Sequence, residues 1–111
     1  MKRKQIKTDF LIIGGGTGGV SAAIAAARQN IDVVLVEETK WLGGMLTAAG
    51  VSCIDGNYNM QSGLFGEFAE RIFDHYGGRE AVKTGWVSHI NYEPSVANDI
   101  ILQMTQDLPS L

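Results

Sequence analysis

Between the apolar run Phe10-Leu11-Ile12-Ile13 and an alanine-rich stretch beginning at Val20 lie six positions, Gly14 to Gly19, of which only Thr17 is not glycine. Glycine costs about 1 kcal/mol relative to alanine inside a helix, so this cluster marks a turn. The four consecutive apolar residues before it predict a central strand, buried on both faces of a parallel sheet. After it, Val20, Ala23, Ile24 and Ala27 recur at spacings of three and four, which predicts a helix over Thr17–Gln29 lying close to the sheet through its alanines. Asn30 turns the chain, and Asp32-Val33-Val34-Leu35-Val36 reads as a second strand ending in Glu37-Glu38. The result is a β–α–β unit whose crossover is expected to be right-handed.

Gly14, Gly16 and Gly19 match G-x-G-x-x-G, in which the three glycines serve separate ends: a tight turn out of the strand, close backbone approach to a pyrophosphate, and close helix–strand packing. The helix start supplies free N–H groups and partial positive charge. Glu37 follows Gly19 by eighteen positions, at the end of the next strand, close to the spacing needed to reach an adenosine ribose. A carboxylate there accepts hydrogen bonds from both ribose hydroxyls and repels a 2′-phosphate, which favours FAD or NAD over NADP. Glu38 reads as a solvated neighbour whose backbone lies near the adenine. The fold class is therefore α/β, the Rossmann-like start of a doubly wound parallel sheet.

Composition narrows the alternatives. Of 111 residues 45% are hydrophobic and 19% charged, and the 14 glycines concentrate in turns. The net charge of −3 and the lack of a basic stripe beyond Lys2-Arg3-Lys4 and Lys7 leave no electrostatic footprint for nucleic acid. Eighteen uncharged residues between Asp9 and Arg28, ending in Ala25-Ala26-Ala27, imitate a secretory leader. Its hydrophobic segment would be helical, however, and the glycines oppose that. Neither a membrane span nor a metal site is expected. The lone Cys53 excludes an internal disulfide and fits a reducing compartment, so the expected location is the cytoplasm. Cys53 reads as a small buried hydrophobe, and His75 and His89 as structural or exposed side chains without a spaced metal partner.

Beyond Glu38 the chain reads as loop through Trp41-Leu42-Gly43-Gly44-Met45-Leu46-Thr47, a short apolar stretch from Ala48 to Ile54, and a polar turn at Asp55-Gly56-Asn57. A helix is predicted from Leu64 to Tyr76, with Leu64, Phe65, Phe68, Ile72 and Phe73 on one side and Gly77-Gly78 as its stop. A last helix is predicted from Pro94 to Asp107, with Val96, Ala97, Ile100, Ile101, Met104 and Leu108 as its buried stripe.

The stretch from Asp9 through Gly14-Gly15-Gly16-Thr17-Gly18-Gly19 to Ala23, with Val36-Glu37-Glu38 and Leu42-Gly43-Gly44-Met45-Leu46-Thr47, resembles the FAD-dependent oxidoreductases of the glutathione-reductase-like and fumarate-reductase-like flavoproteins. Gly63-Leu64-Phe65-Gly66-Glu67 and Tyr92-Glu93-Pro94-Ser95-Val96-Ala97 extend the resemblance. It implies FAD as cofactor, and contacts to its pyrophosphate and ribityl chain from Leu42, Gly43, Gly44, Met45 and Thr47, besides Gly14, Gly16, Thr17, Gly18, Gly19, Glu37 and Glu38. Trp41 either covers the adenine or packs. Dithiol reductases of this superfamily carry two cysteines soon after the double glycine, whereas Met45–Ile54 contains only Cys53. Redox-active disulfide chemistry on this chain is thereby excluded. No catalytic residue is assigned, since in flavoenzymes the isoalloxazine carries the redox step.

The resemblance covers residues 1–111 only as the beginning of such a fold, because two parallel strands cannot bury both faces and both edges of a sheet. The expectation is an N-terminal portion of an FAD-binding domain: a β–α–β core over about 8–38, a double-glycine loop over 39–56, and two helices. The small-molecule substrate and the electron acceptor are not identified by these residues, and the substrate domain is expected on further polypeptide or another chain that completes the fold. Two alternatives stand beside this reading, a non-catalytic dinucleotide-binding module or inactive fragment, and an NAD-dependent Rossmann oxidoreductase.

Overall fold

In a computed structural model, described for residues 2–55, 59, 61–85 and 88–106, the chain opens with β1 (Phe10–Ile13), α1 (Thr17–Arg28) and β2 (Val33–Val36). The two strands pair in parallel, Phe10 opposite Val33 and Ile13 opposite Val36. The helix ends where Asn30 takes a left-handed φ of 61°, while the N–H groups of Gln29, Asn30 and Ile31 bond back to the carbonyls of Ala26 and Ala27. Ala23, Ala26 and Ala27 pack with Val33, and Ile12 and Leu35 lie against the same cluster. Small side chains thus bring helix and sheet together, as expected.

Side chains alternate across a strand, so the residues between these face the other way. That other face is bare. Leu11 is 55% and Ile13 74% exposed, and Val36 is exposed beside them. The expectation that β1 is buried on both faces is corrected accordingly: β2 is its only neighbour among the described strands and α1 covers a single face.

A short 3-10 turn over Gly44–Leu46 leads to β3 (Cys53–Ile54), which pairs antiparallel with β4 (Ile90–Asn91). Between them run α2 (Gly63–Tyr76) and a 3-10 turn at Arg79–Val82, and α3 (Pro94–Gln106) follows β4. Gly77, at φ 88°, ends α2, and the Gly78 N–H bonds to the Phe73 carbonyl at 2.8 Å. Pro94 occupies the first helical position of α3. The preceding Glu93 N–H donates to the Tyr76 hydroxyl at 2.9 Å, and that hydroxyl donates to the Glu93 carboxylate. The principal core joins Val20 and Ile24 of α1 to Phe68, Ile72 and Phe73 of α2 and to Ile100, Ile101 and Met104 of α3. The turn expected at Gly56-Asn57 and the end of the last helix, Asp107 and Leu108, lie outside the described residues.

Candidate functional site

The two glycine loops meet. Gly14 leaves β1 at φ 102°, a conformation costly for any residue with a Cβ, and its N–H bonds to the Val36 carbonyl at 2.8 Å. Gly16 then forms a parallel bridge with Gly43, the Gly43 N–H donates to the Gly15 carbonyl at 2.7 Å, and the Thr17 hydroxyl donates to the Gly43 carbonyl at 3.3 Å. A Cβ on Gly44 would come within 3.0 Å of the Gly16 Cα. Residues 28 positions apart are therefore closed into one backbone surface at the C-terminal end of the parallel pair.

This surface presents hydrogen-bond donors. The first helical bond of α1 runs from the Val20 N–H to the Gly16 carbonyl, so the N–H groups of Thr17, Gly18 and Gly19 precede the helix's own ladder. Gly16, the N-cap, has no side chain to satisfy them, and the first turn holds no acid. Gly16 and Gly18 have nothing within 4 Å of a virtual Cβ, whereas a Cβ on Gly19 would strike the Gly14 carbonyl oxygen. The roles of the glycines are thus separated in space: Gly16 and Gly18 keep the surface open, and Gly19 lets α1 approach the strand. An uncapped helix start with an open approach suits an anionic oxygen.

Glu37 stands over Gly15. One carboxylate oxygen accepts the Gly15 N–H at 2.8 Å and the other the Thr39 N–H at 3.1 Å. These bonds, with Thr39 the larger contributor, hold the carboxyl below the usual glutamate range, so it is charged at neutral pH. Gly15 itself matters more than the motif indicates: a Cβ there would meet Glu37 Oε2 at 2.7 Å and Leu42 Cδ2 at 2.9 Å. Glu38 is exposed, and so is Met45, beside the loop junction.

Thr47 and Gly43, both expected to contact the cofactor, are the buried members of the second loop. Thr47 is fully buried, and its hydroxyl donates to the Leu42 carbonyl at 2.6 Å, closing the loop from beneath. Gly43 is buried too, and its N–H is already bonded to Gly15. Both hydrogen bonds hold the backbone of the segment that also contains Leu42, Gly44 and Met45. Next to Thr17 and Gly43 an apolar cleft of about 100 Å³ opens between Val20, Phe65, Phe68 and Met104.

Elsewhere the chemistry is sparse. Cys53 is half-buried in β3, His75 is exposed and meets Tyr76 edge-on at 4.7 Å, and His89 is half-buried just before β4. The Tyr92 hydroxyl is buried without a hydrogen-bond partner among the described residues, and burial pushes its phenol up to about 12. Among those residues no cluster of three His, Cys, Asp or Glu could hold a metal ion, and no helix is long and apolar enough to cross a membrane.

Residues 9–109 match the family model described as FAD dependent oxidoreductase. Among curated proteins, digoxin reductase of Eggerthella lenta is 40% identical over 59 residues, 53% of this chain and 10% of that protein. Carotenoid phi-ring synthase of Chlorobaculum tepidum is 38% identical over 66 residues, covering 60% of this chain and 9% of the other. Dihydrolipoyl dehydrogenase of Manduca sexta is 37% identical over 79 residues, or 71% and 15%. In each case the match spans only a small fraction of the relative's length.

Proposed function

The chain belongs to the FAD dependent oxidoreductase family, and on that premise we propose that it grips the adenosine diphosphate end of FAD. The observation that carries this reading is the open, uncapped start of α1 beside a charged carboxylate held in place by two backbone N–H groups. The N–H groups of Thr17, Gly18 and Gly19 receive the pyrophosphate, and Gly14 and Gly16 shape the turn beneath it. Glu37 accepts the ribose hydroxyls, and Glu38 borders the adenine. Leu42, Gly44 and Met45 flank the path toward the ribityl chain, supported by Gly43 and Thr47. Bound there, FAD supplies the redox chemistry, and this chain's residues orient one end of it.

The substrate is an unidentified small molecule, and further polypeptide completes the fold. The bare face of Leu11, Ile13 and Val36 supports that second point, because an apolar sheet face of this kind is normally covered. Cys53 is the only cysteine of the 111 residues, so no cysteine pair forms within them. One cysteine also suits a reducing compartment, for which the cytoplasm is our reading.

The test is flavin retention, read from absorbance near about 450 nm as general flavin chemistry prescribes, with Glu37→Ala beside the wild type. We expect yellow wild-type protein and an FAD Kd at least about tenfold higher in the variant, the loss of a charge-assisted hydrogen-bond pair. Unchanged affinity in Glu37→Ala would remove the ribose assignment.

A further inference from the structure

We infer that Asn98, on α3, is a positioning residue for the cofactor loops, acting through Leu42 on Glu37. Its side chain is 7% exposed, on the same helix as the buried Ala97, Ile100, Ile101 and Met104. A buried amide is costly unless it is hydrogen-bonded, and asparagine is among the weaker helix formers. Asn98 Oδ1 accepts the Leu42 N–H at 3.1 Å, a contact between residues 56 positions apart. An apolar residue would suit this stripe better if packing were the only requirement.

What the bond holds gives it significance. The Leu42 backbone is fixed at both ends by side chains, its N–H by Asn98 and its carbonyl by the Thr47 hydroxyl at 2.6 Å. The Leu42 side chain stands over Gly15 together with the Glu37 carboxylate, each close enough to exclude a Cβ there. One position on, Gly43 bonds to the Gly15 carbonyl, and a Cβ on Gly43 would meet Ile101 Cδ1 at 2.7 Å. Asn98 and Ile101, neighbours on one turn of α3, therefore set the seat of the Leu42-Gly43 segment. That segment lies over Gly15 beside Glu37. A shift of Leu42 would change the packing over Gly15, whose N–H the Glu37 carboxylate accepts.

The inference rests on the FAD reading for its functional consequence, and two readouts keep the two apart. In the complete polypeptide, Asn98→Leu removes the acceptor at similar volume, and Asn98→Asp keeps an acceptor oxygen in the same place. We expect the FAD Kd to rise about tenfold in Asn98→Leu, the scale of one lost hydrogen bond that leaves a buried N–H unpaired. In Asn98→Asp, which keeps the acceptor oxygen but buries a carboxyl group, the rise should be smaller than in Asn98→Leu. Hydrogen exchange at the Leu42 amide, followed without flavin, should accelerate in Asn98→Leu and remain protected in Asn98→Asp. Should Asn98→Leu fail to fold, Asn98→Ala makes the same comparison. Unchanged Leu42 exchange in a folded acceptor-less variant, or an Asn98→Asp protein as weak as Asn98→Leu, would overturn the assignment. A wild type without FAD affinity would overturn the FAD reading, and Leu42 exchange would still decide the role of Asn98.

Discussion

The β1–α1–β2 unit and the α2–α3 half of the molecule are built on opposite terms. Around α2 and α3 the apolar residues close on one another: Phe68, Ile72, Ile100, Ile101 and Met104 are all buried in one cluster that also takes Val20 and Ile24 from α1. In the sheet unit the buried cluster is three alanines and one valine, and the face opposite is open. Yet the sheet unit carries the glycine turn and Glu37, while α3 only supports them. The difference teaches that the candidate site sits on the less covered half and is hydrogen-bonded to the better packed one through Asn98 and Leu42. Leu42, bonded to Asn98 on one side and standing over Gly15 on the other, is one place where the two halves meet.

Equal truncations on the two sides give the largest contrast. Ile72 is fully buried, so Ile72→Ala should cost about 3 kcal/mol of unfolding free energy, from lost burial plus the cavity left behind. Ile13 is 74% exposed, so Ile13→Ala in the 111-residue chain should change stability by less than about 0.5 kcal/mol. Urea denaturation measures both. In the longer polypeptide proposed to cover the sheet, Ile13→Ala should rise to about 2 kcal/mol. An Ile13→Ala effect that is the same in both contexts would break the comparison, because the open face would then be the native state of this sheet.

A smaller effect is expected at the glycine turn. Gly18 and Gly19 are adjacent in the first turn of α1, but an added Cβ meets nothing at Gly18 and the Gly14 carbonyl oxygen at Gly19. Gly18→Ala should therefore stabilise the chain by up to about 1 kcal/mol through helix propensity alone. Gly19→Ala should destabilise it by about 2 kcal/mol, as α1 is forced off β1. Thermal melts of the two variants check the sign. If both moved the same way, the close approach of α1 to the turn would not be what Gly19 provides.

How much of this was legible beforehand follows from how local each cause is. The α/β order and the turn at Gly14 were readable, because apolar runs, three-and-four spacing and a left-handed φ each select residue types at their own positions. The double burial read from Phe10-Leu11-Ile12-Ile13 reports what a strand is made for, whereas its exposure in this structure depends on neighbours that the stretch does not contain. Gly15 carried no mark, since its constraint comes from Glu37 and Leu42, 22 and 27 positions away. The hydrogen bond from the Thr47 hydroxyl to the Leu42 carbonyl depends on how the loop folds back on itself, which residue types alone do not mark. Asn98 did leave a trace: a polar residue beside Ala97 and Ile100 on the helix of the apolar stripe is an anomaly that asks for a partner.

The smallest effect tests the strap between the two halves. Arg28, in the last turn of α1, makes a two-pronged ion pair with Glu67 of α2, at 2.7 and 2.8 Å, and Arg71 joins at 3.1 Å. The Arg28 hydrogen bonds are the main reason the Glu67 carboxyl is held below the usual glutamate range, and the same bonds raise Arg28. A lowered folded pKa means stability that is present above the unfolded value and lost as pH falls through the folded one. The raised Arg28 value adds stability at every pH below its unfolded pKa, so it brings no change near neutrality. Glu67→Gln should therefore cost less than about 1 kcal/mol at pH 7, since both side chains are partly exposed, at 40% and 29%. The difference from wild type should shrink as pH falls through the acidic carboxylate range, and also at high salt, where such pairs are screened. A Glu67→Gln penalty that persisted undiminished at low pH would mean that the strap acts by packing rather than charge.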